Sequence, residues 1–148
     1  MIKIEKIYNI LKENIPNRLI IPIIIFPTTE EMLKQEANEL FRDYQELVES
    51  YSRQYRAENY LDTPYCRHIV NKHKINAFNI NMLATNPIKI SFENVECRPE
   101  REIAFLLLHE FGHLAMAKAG KYRDEILADK FAIVWTKRLI DKGLIKND

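Results

Sequence analysis

A short run near the C-terminal end of the chain places two histidines and a glutamate at a spacing suited to metal chemistry. The run is His109, Glu110, Phe111, Gly112, His113, an HExxH pattern. Residues four apart on an α-helix lie on one face about one turn apart, so both imidazoles can reach one small ion. Glu110 projects beside them and can act as a general base on a water at that ion. Because neutral imidazole nitrogens are good zinc ligands, the run predicts a zinc site with Glu110 as its catalytic residue.

A catalytic zinc site has three protein ligands and keeps a fourth position open, so one more ligand must come from another segment. Glu125 is the candidate, because it begins a stretch in which Glu125, Ala128, Asp129 and Ala132 share one helical face. The two small alanines would let this helix lie close to the helix that carries the histidines. Asp129, one turn beyond Glu125, can accept the second ring proton of a ligand histidine and so fix its orientation.

Four other polar residues are candidates for transition-state contacts, and their pattern does not choose among them. His68 and His73 are not spaced as a helical ligand pair, so the favoured interpretation is that they are ordinary exposed or core histidines and not a second metal site. Either could instead donate a hydrogen bond to an oxyanion, as could Tyr122 or Arg123.

The histidine run requires a helix, and the flanking residues predict one. Pro99 is suited to a helix first turn, and the apolar flank continues to Lys118 before Gly120 stops the helix. A last helix is predicted from about Arg123 to Lys142, with Gly143 as its stop.

The first part of the chain predicts two more helices and a strand. An amphipathic helix begins the chain and ends at Pro16, followed by a buried strand over Leu19–Phe26 in which Pro22 indicates an edge or a bulge. Thr28 is placed to cap a long amphipathic helix that runs from about Glu31 to Glu58. This helix could pack on its own core or on a second copy, so the oligomeric state is left open. The N-terminal half could likewise serve as scaffold, lid or prosegment.

A change to a period of two predicts a β-hairpin in the middle of the chain. Apolar residues alternate with polar ones on both sides of the turn at Thr85–Pro87. Its apolar face is expected to carry Phe78, Ile80, Met82, Ile88, Ile90 and Phe92, and its other face to carry Lys89, Ser91 and Glu93.

Composition narrows the class of protein. The 22 basic and 21 acidic residues nearly balance, so nucleic acid is not an expected partner. The most apolar run, Leu19–Phe26, is far shorter than the roughly twenty residues of a membrane span, and Met1–Asn14 lacks the pattern of a secretory signal. A cytoplasmic protein without a membrane anchor is therefore expected. Cys66 and Cys97 form no CxxC pair and are expected to be reduced, partly buried structural thiols.

With these residues identified, the chain resembles the gluzincins, HExxH metallopeptidases whose third ligand is a glutamate in a following helix. It resembles the small minigluzincin and HtpX-like proteins and, in its active-site helices, ImmA/IrrE-like peptidases. Three segments support this: Ile75–Phe78, similar to a strand motif of the HtpX group; Phe105–His113; and Glu125–Ala132, EILADKFA, similar to the ExxADxFA pattern.

The resemblance implies a fold and a set of roles. The fold would be α+β: one zincin-like domain over residues 1–148, with a small mixed or antiparallel sheet of about three strands on the two active-site helices. His109, His113 and Glu125 would bind one zinc ion, with Glu110 as general base and Asp129 as orienting partner. The strand around Asn76 would lie at the cleft and bind an extended peptide as an added strand.

The expected function is hydrolysis of peptide bonds in a protein substrate by a water that zinc and Glu110 activate. Two alternatives differ in class. One is a zinc-binding regulatory or sensing protein of the same fold with little or no turnover. The other is a helical interaction protein in which the long helix carries the function and the HExxH run is accidental, as happens in about one or two of a hundred chains of this length.

Overall fold

The computed structural model describes residues 2–43, 81–83, 85–121 and 124–147. They fall into two compact units, one formed by Met1–Pro22 with Val95–Asp148 and one by Ile23–Asn94, which are taken in turn. Within the described residues there are five α-helices and a three-stranded mixed sheet, so the predicted α+β class is confirmed. The single zincin-like domain over residues 1–148 stays a prediction. No helix in this part of the chain is both long and apolar enough to span a bilayer.

The first unit begins with the predicted amphipathic helix, α1, over Lys3–Asn14. Its apolar face, including Ile4, Ile7 and Leu11, is buried, and it packs against the later helix α4, over Glu100–Met116. A 3-10 turn over Asn17–Leu19 follows. The strand was predicted over Leu19–Phe26, but the observed strand begins only at Ile23. The first part of the apolar run instead forms a turn, in which the Leu19 and Ile20 N–H groups donate to the Pro16 and Asn17 carbonyl oxygens.

Two carboxylates beside the start of α4 hold α1 and the C-terminal tail in place. Glu96 accepts hydrogen bonds from the first two backbone N–H groups of α1, the second at 3.1 Å. Glu100 accepts from Lys6 Nζ at 2.9 Å and from the Lys146 backbone N–H at 3.2 Å. Burial alone would raise the pKa of Glu100, but these two donors outweigh it and hold that pKa below its usual value.

Helix α4 ends in a 3-10 turn over Ala117–Ala119, and Gly120 reverses the chain with a left-handed φ of 71°. Helix α5 follows over Glu125–Asp141, where Asp124 Oδ1 accepts a hydrogen bond from the Leu127 N–H at 3.0 Å and caps the first turn. Both predicted helices, α4 and α5, are therefore confirmed, and their observed ends differ from the predicted ends by no more than two residues.

The second unit contains the sheet. Strands β1 (Ile23–Phe26), β2 (Met82–Leu83) and β3 (Ile88–Ser91) lie in the order β1-β3-β2. β1 pairs parallel to β3, with Ile23 opposite Ile88, and β2 pairs antiparallel to β3, with Met82 opposite Ile90. The sheet is thus mixed. Among the described strands, β1 lies at an edge of the sheet, and Pro22 directly precedes it, so the predicted edge position is confirmed.

The prediction of one apolar and one polar hairpin face is wrong for β3. All four of its residues are buried, including Lys89 and Ser91. β3 is central in the described sheet and packs against α2 (Thr29–Asp43). Both faces of this strand are therefore covered, whereas the alternating pattern predicted one face in contact with solvent. The chain then forms a one-turn helix, α3, over Phe92–Val95, which removes Phe92 from the strand. The predicted hairpin residues 78–80 lie outside the described residues.

Two further predictions concern the burial of the edge strand β1 and the residue that caps the start of α2. Ile24 in β1 is 40% exposed, so this strand is less buried than its apolar sequence predicts. Thr28 Oγ1 accepts a hydrogen bond from the Glu31 N–H at 3.1 Å, which confirms the predicted helix cap. The predicted continuation of this helix to Glu58 lies outside the described residues.

Lys89 is 1% exposed and lies between two carboxylates of α2. Its Nζ is 2.8 Å from an oxygen of Glu36 and 2.8 Å from one of Glu39. Burial disfavours the charged amine, but the hydrogen bonds and charges of the two glutamates outweigh it and raise the pKa of Lys89 above its ordinary value of 10.5. This ion-pair cluster fixes one face of β3 against α2.

We expect Lys89→Met to lower the free energy of unfolding by about 2 kcal/mol, because two charge-assisted hydrogen bonds are lost. Since the pKa of Lys89 is higher when folded, its contribution is complete below pH 10.5 and is lost as the pH rises through the folded pKa. Urea unfolding of the wild type and the variant, from pH 7 to above pH 10.5, measures the difference in their free energies of unfolding. Lys130→Met, at an exposed site, is the matched control. Equal stability of the two variants at pH 7 would contradict the expectation.

The cysteine prediction is wrong in one respect. Cys97 is a free thiol but is exposed rather than partly buried, because it lies in the turn between α3 and α4. Cys66 lies outside the described residues.

Candidate metal centre

The two histidines of the HExxH run lie on α4 and face the same point. Their ring centroids are 4.7 Å apart, and the two Nε2 atoms are 3.1 Å apart. The side chains of His109 and His113 are 17% and 11% exposed, so both are mostly withdrawn from water but reachable. The helical spacing therefore does bring both imidazoles together, as predicted.

The carboxylate of Glu125 meets these nitrogens from the first residue of α5. Oε2 is 2.7 Å from His109 Nε2, and Oε1 is 3.2 Å from His113 Nε2. One ligand atom from each of the three residues lies within 4.8 Å of the other two. The Glu125 side chain is 70% exposed, so the cluster opens to solvent on that side.

Asp129 lies behind His109, one turn beyond Glu125 on the same face of α5. Its Oδ1 is 2.8 Å from His109 Nδ1, a hydrogen-bond distance. A proton held on Nδ1 by the carboxylate leaves the lone pair of Nε2 directed toward His113 and Glu125. The predicted orienting role of Asp129 thus has the required geometry.

The donor set fits a zinc ion. Two imidazole nitrogens and one carboxylate are the ligand types and number of a catalytic zinc site with an open position. Ligand atoms of a tetrahedral zinc with bonds of about 2.0–2.1 Å lie roughly 3.3 Å apart. The separations of 2.7, 3.1 and 3.2 Å found here are shorter, so the ligand atoms must move apart slightly to accommodate the ion.

Glu110 lies next to the cluster but is not one of the three converging residues. Burial raises the pKa of its carboxyl; the nearby His109 and His113 oppose this shift and Glu125 adds to it. A carboxylate with a raised pKa is better suited to accept and return a proton near neutral pH than an ordinary glutamate. Its place and its electrostatics agree with the predicted general base.

Close contact between α4 and α5 brings the ligands together. Ala128 and Ala132 are fully buried, which confirms the expected small-residue face on α5. Ala128 faces Gly112 of α4, a residue to which the sequence prediction gave no role. A signal for it was present, because a glycine inside a helix costs about 0.5–1 kcal/mol relative to alanine and usually has a packing reason.

A groove lies along the seam between α4 and α5, and none of its lining residues belongs to the cluster. It has a volume of about 640 Å³ and is lined by four apolar residues, Phe105, Leu106, Ile133 and Ile140, and by seven polar or charged ones: Arg98, Arg101, Glu102, Thr136, Lys137, Asp141 and Asn147. The Phe105 ring centroid lies 6.4 Å from that of His109. The groove therefore approaches the cluster at Phe105, one helical turn before His109.

The remaining predicted site residues are His68, His73, Asn76, Tyr122 and Arg123. They lie outside the described residues, so their predicted contacts with substrate or transition state stay predictions. The same holds for peptide addition at the strand around Asn76.

Comparison of the chain with models of protein families, with curated proteins and with solved structures found no match. The resemblance to the gluzincins accordingly rests on the three sequence segments given above.

Proposed function

We propose that the chain is a zinc-dependent metallopeptidase of the gluzincin type that hydrolyses peptide bonds of a protein substrate. The observation that carries the proposal is the convergence of His109, His113 and Glu125 from two helices onto one point. An accidental HExxH run gives no reason for a carboxylate sixteen residues later to lie 2.7 Å from the first histidine. The groove between α4 and α5, which approaches the cluster at Phe105 and has both apolar and charged lining residues, offers a surface for a peptide side chain.

The reaction would divide between the ligands and Glu110. His109, His113 and Glu125 would hold a zinc ion, whose Lewis acidity would lower the pKa of a water toward neutrality and polarise a carbonyl oxygen. Glu110 takes the proton from the attacking water and later gives it to the leaving amine. Asp129 holds the His109 ring in the tautomer that presents Nε2 to the ion.

Two measurements on the purified protein test the proposal. Elemental analysis is expected to find about one zinc per chain, and the zinc-loaded protein is expected to cleave an unfolded, casein-like substrate with loss of cleavage in a chelator. Protein that takes up no zinc from solution would rule out the metal site and with it the peptidase. Bound zinc with no cleavage would instead favour the regulatory or sensing alternative.

A further inference from the structure

Gly112 lies so close to α5 that any side chain at this position would make tighter contacts than ordinary van der Waals packing. A β-carbon built at this position would lie 3.1 Å from the Ala128 Cα, 3.1 Å from the Ala128 carbonyl oxygen and 3.1 Å from the Phe131 Cδ1. Ordinary van der Waals contact begins at about 3.4 Å. Two of the three atoms belong to the backbone of α5, so side-chain rotation alone cannot relieve the clash.

The backbone that Gly112 contacts is coupled directly to a metal ligand. Ala128 lies one turn beyond Glu125, and its N–H donates to the Asp124 carbonyl at 3.1 Å. The Asp124 side chain caps the same turn through the Leu127 N–H at 3.0 Å. Glu125 lies inside this hydrogen-bonded turn, so a shift of Ala128 moves the Glu125 backbone with it.

The size of the shift of α5 determines whether His109, His113 and Glu125 can still bind one ion. To restore ordinary contact, α5 must move away from α4 by a few tenths of an ångström. Glu125 and Asp129 both belong to α5, so this displacement changes their distances to His109 together, whereas zinc ligand distances are held within about 0.2 Å of ideal in a good site. Gly112 itself directly precedes His113, so the displacement arises beside one ligand and moves another.

We propose that Gly112 is a positioning residue for the metal centre: its missing side chain sets the spacing between the imidazoles of α4 and the Glu125 carboxylate of α5. This inference rests on the proposed zinc site. Gly112 contacts neither the ion nor the substrate; it acts through the distance between the two helices.

The test compares Gly112→Ala with Leu139→Ala. Leu139 is a buried residue of α5 near its far end, so truncating it destabilises the fold without adding an atom at the helix contact. Zinc affinity is measured by competition with a chromophoric chelator, and cobalt(II) is substituted to record its visible ligand-field absorption. Thermal unfolding of the metal-free proteins gives the stability of each.

We expect Gly112→Ala to weaken zinc binding about 10- to 100-fold, the range typical of residues that orient ligands, and to shift or weaken the cobalt absorption. Leu139→Ala should lower the midpoint of thermal unfolding with near wild-type zinc affinity and cobalt spectrum. Should Gly112→Ala fail to fold, Phe131→Leu is added to it, which removes the aromatic atom near the new β-carbon and leaves the two backbone contacts, with the same expectations.

Wild-type zinc affinity and cobalt spectrum in the folded Gly112→Ala variant, or in the double variant where it takes its place, would overturn the inference. So would an equal loss of affinity in Leu139→Ala, because the effect would then follow stability alone. Failure of the unaltered protein to bind either metal would instead refute the proposed function.

Discussion

Replacing Glu110 with glutamine is expected to lower kcat/KM for peptide hydrolysis at least 100-fold while zinc stays bound. The amide has nearly the shape of the carboxylate but cannot accept the proton that hydrolysis requires. Because Glu110 is not among the converging ligands, the variant should keep His109, His113 and Glu125 in place. Burial already disfavours the charged form of Glu110, so a neutral amide should be tolerated there.

The measurement is single-substrate kinetics on zinc-loaded protein, with zinc content determined on the same sample. Glu13→Gln makes the same chemical change at an exposed position of α1, outside the groove, and should retain wild-type activity. Persistent hydrolysis by a zinc-loaded Glu110→Gln sample would remove Glu110 from the catalytic role.

His109→Ala is expected to abolish zinc binding and the thermal stabilisation that accompanies it. Zinc at about a thousand times its Kd should stabilise the wild-type protein by about 4 kcal/mol, which raises Tm by roughly 10 °C in a chain of this size. His109 is the residue most involved in the cluster, because its Nε2 lies near both other ligands and its Nδ1 contacts Asp129. Its loss therefore removes a ligand and the group that Asp129 orients.

Thermal unfolding with and without zinc, together with elemental analysis, measures this effect. The metal-free variant should keep a native-like circular dichroism spectrum, since His109 is not part of the buried apolar core. A zinc-dependent rise in Tm equal to that of the wild type would show that zinc binds elsewhere.

The candidate site was predictable because its determinants are local in sequence. The four-residue spacing of His109 and His113 fixes their common face once a helix forms, and Glu125 begins the next helix after a short reversal at Gly120. Asp129 follows from the same periodicity. Gly112 escaped prediction because its role depends on which face of α5 it meets, and that is a property of tertiary packing.

The sheet was predicted less well because its pairing is not local. The alternation around Lys89 indicated a hairpin with one solvated face, but β1 pairs with β3 from about 65 positions earlier in the chain, and α2 covers Lys89. Burial of a lysine requires partners supplied by another element, here Glu36 and Glu39. A pattern of period two in a single segment contains no information about such partners.

The reversal at Gly120 also has a consequence for the order of folding. His109 and Glu125 are sixteen positions apart, whereas the pairing of β1 with β3 closes a loop about four times longer, which costs about 1 kcal/mol more in chain entropy. Contacts between near neighbours in sequence generally form faster. The α4–α5 pair is thus expected to assemble before the parallel strands join during refolding, so that metal uptake need not wait for the sheet.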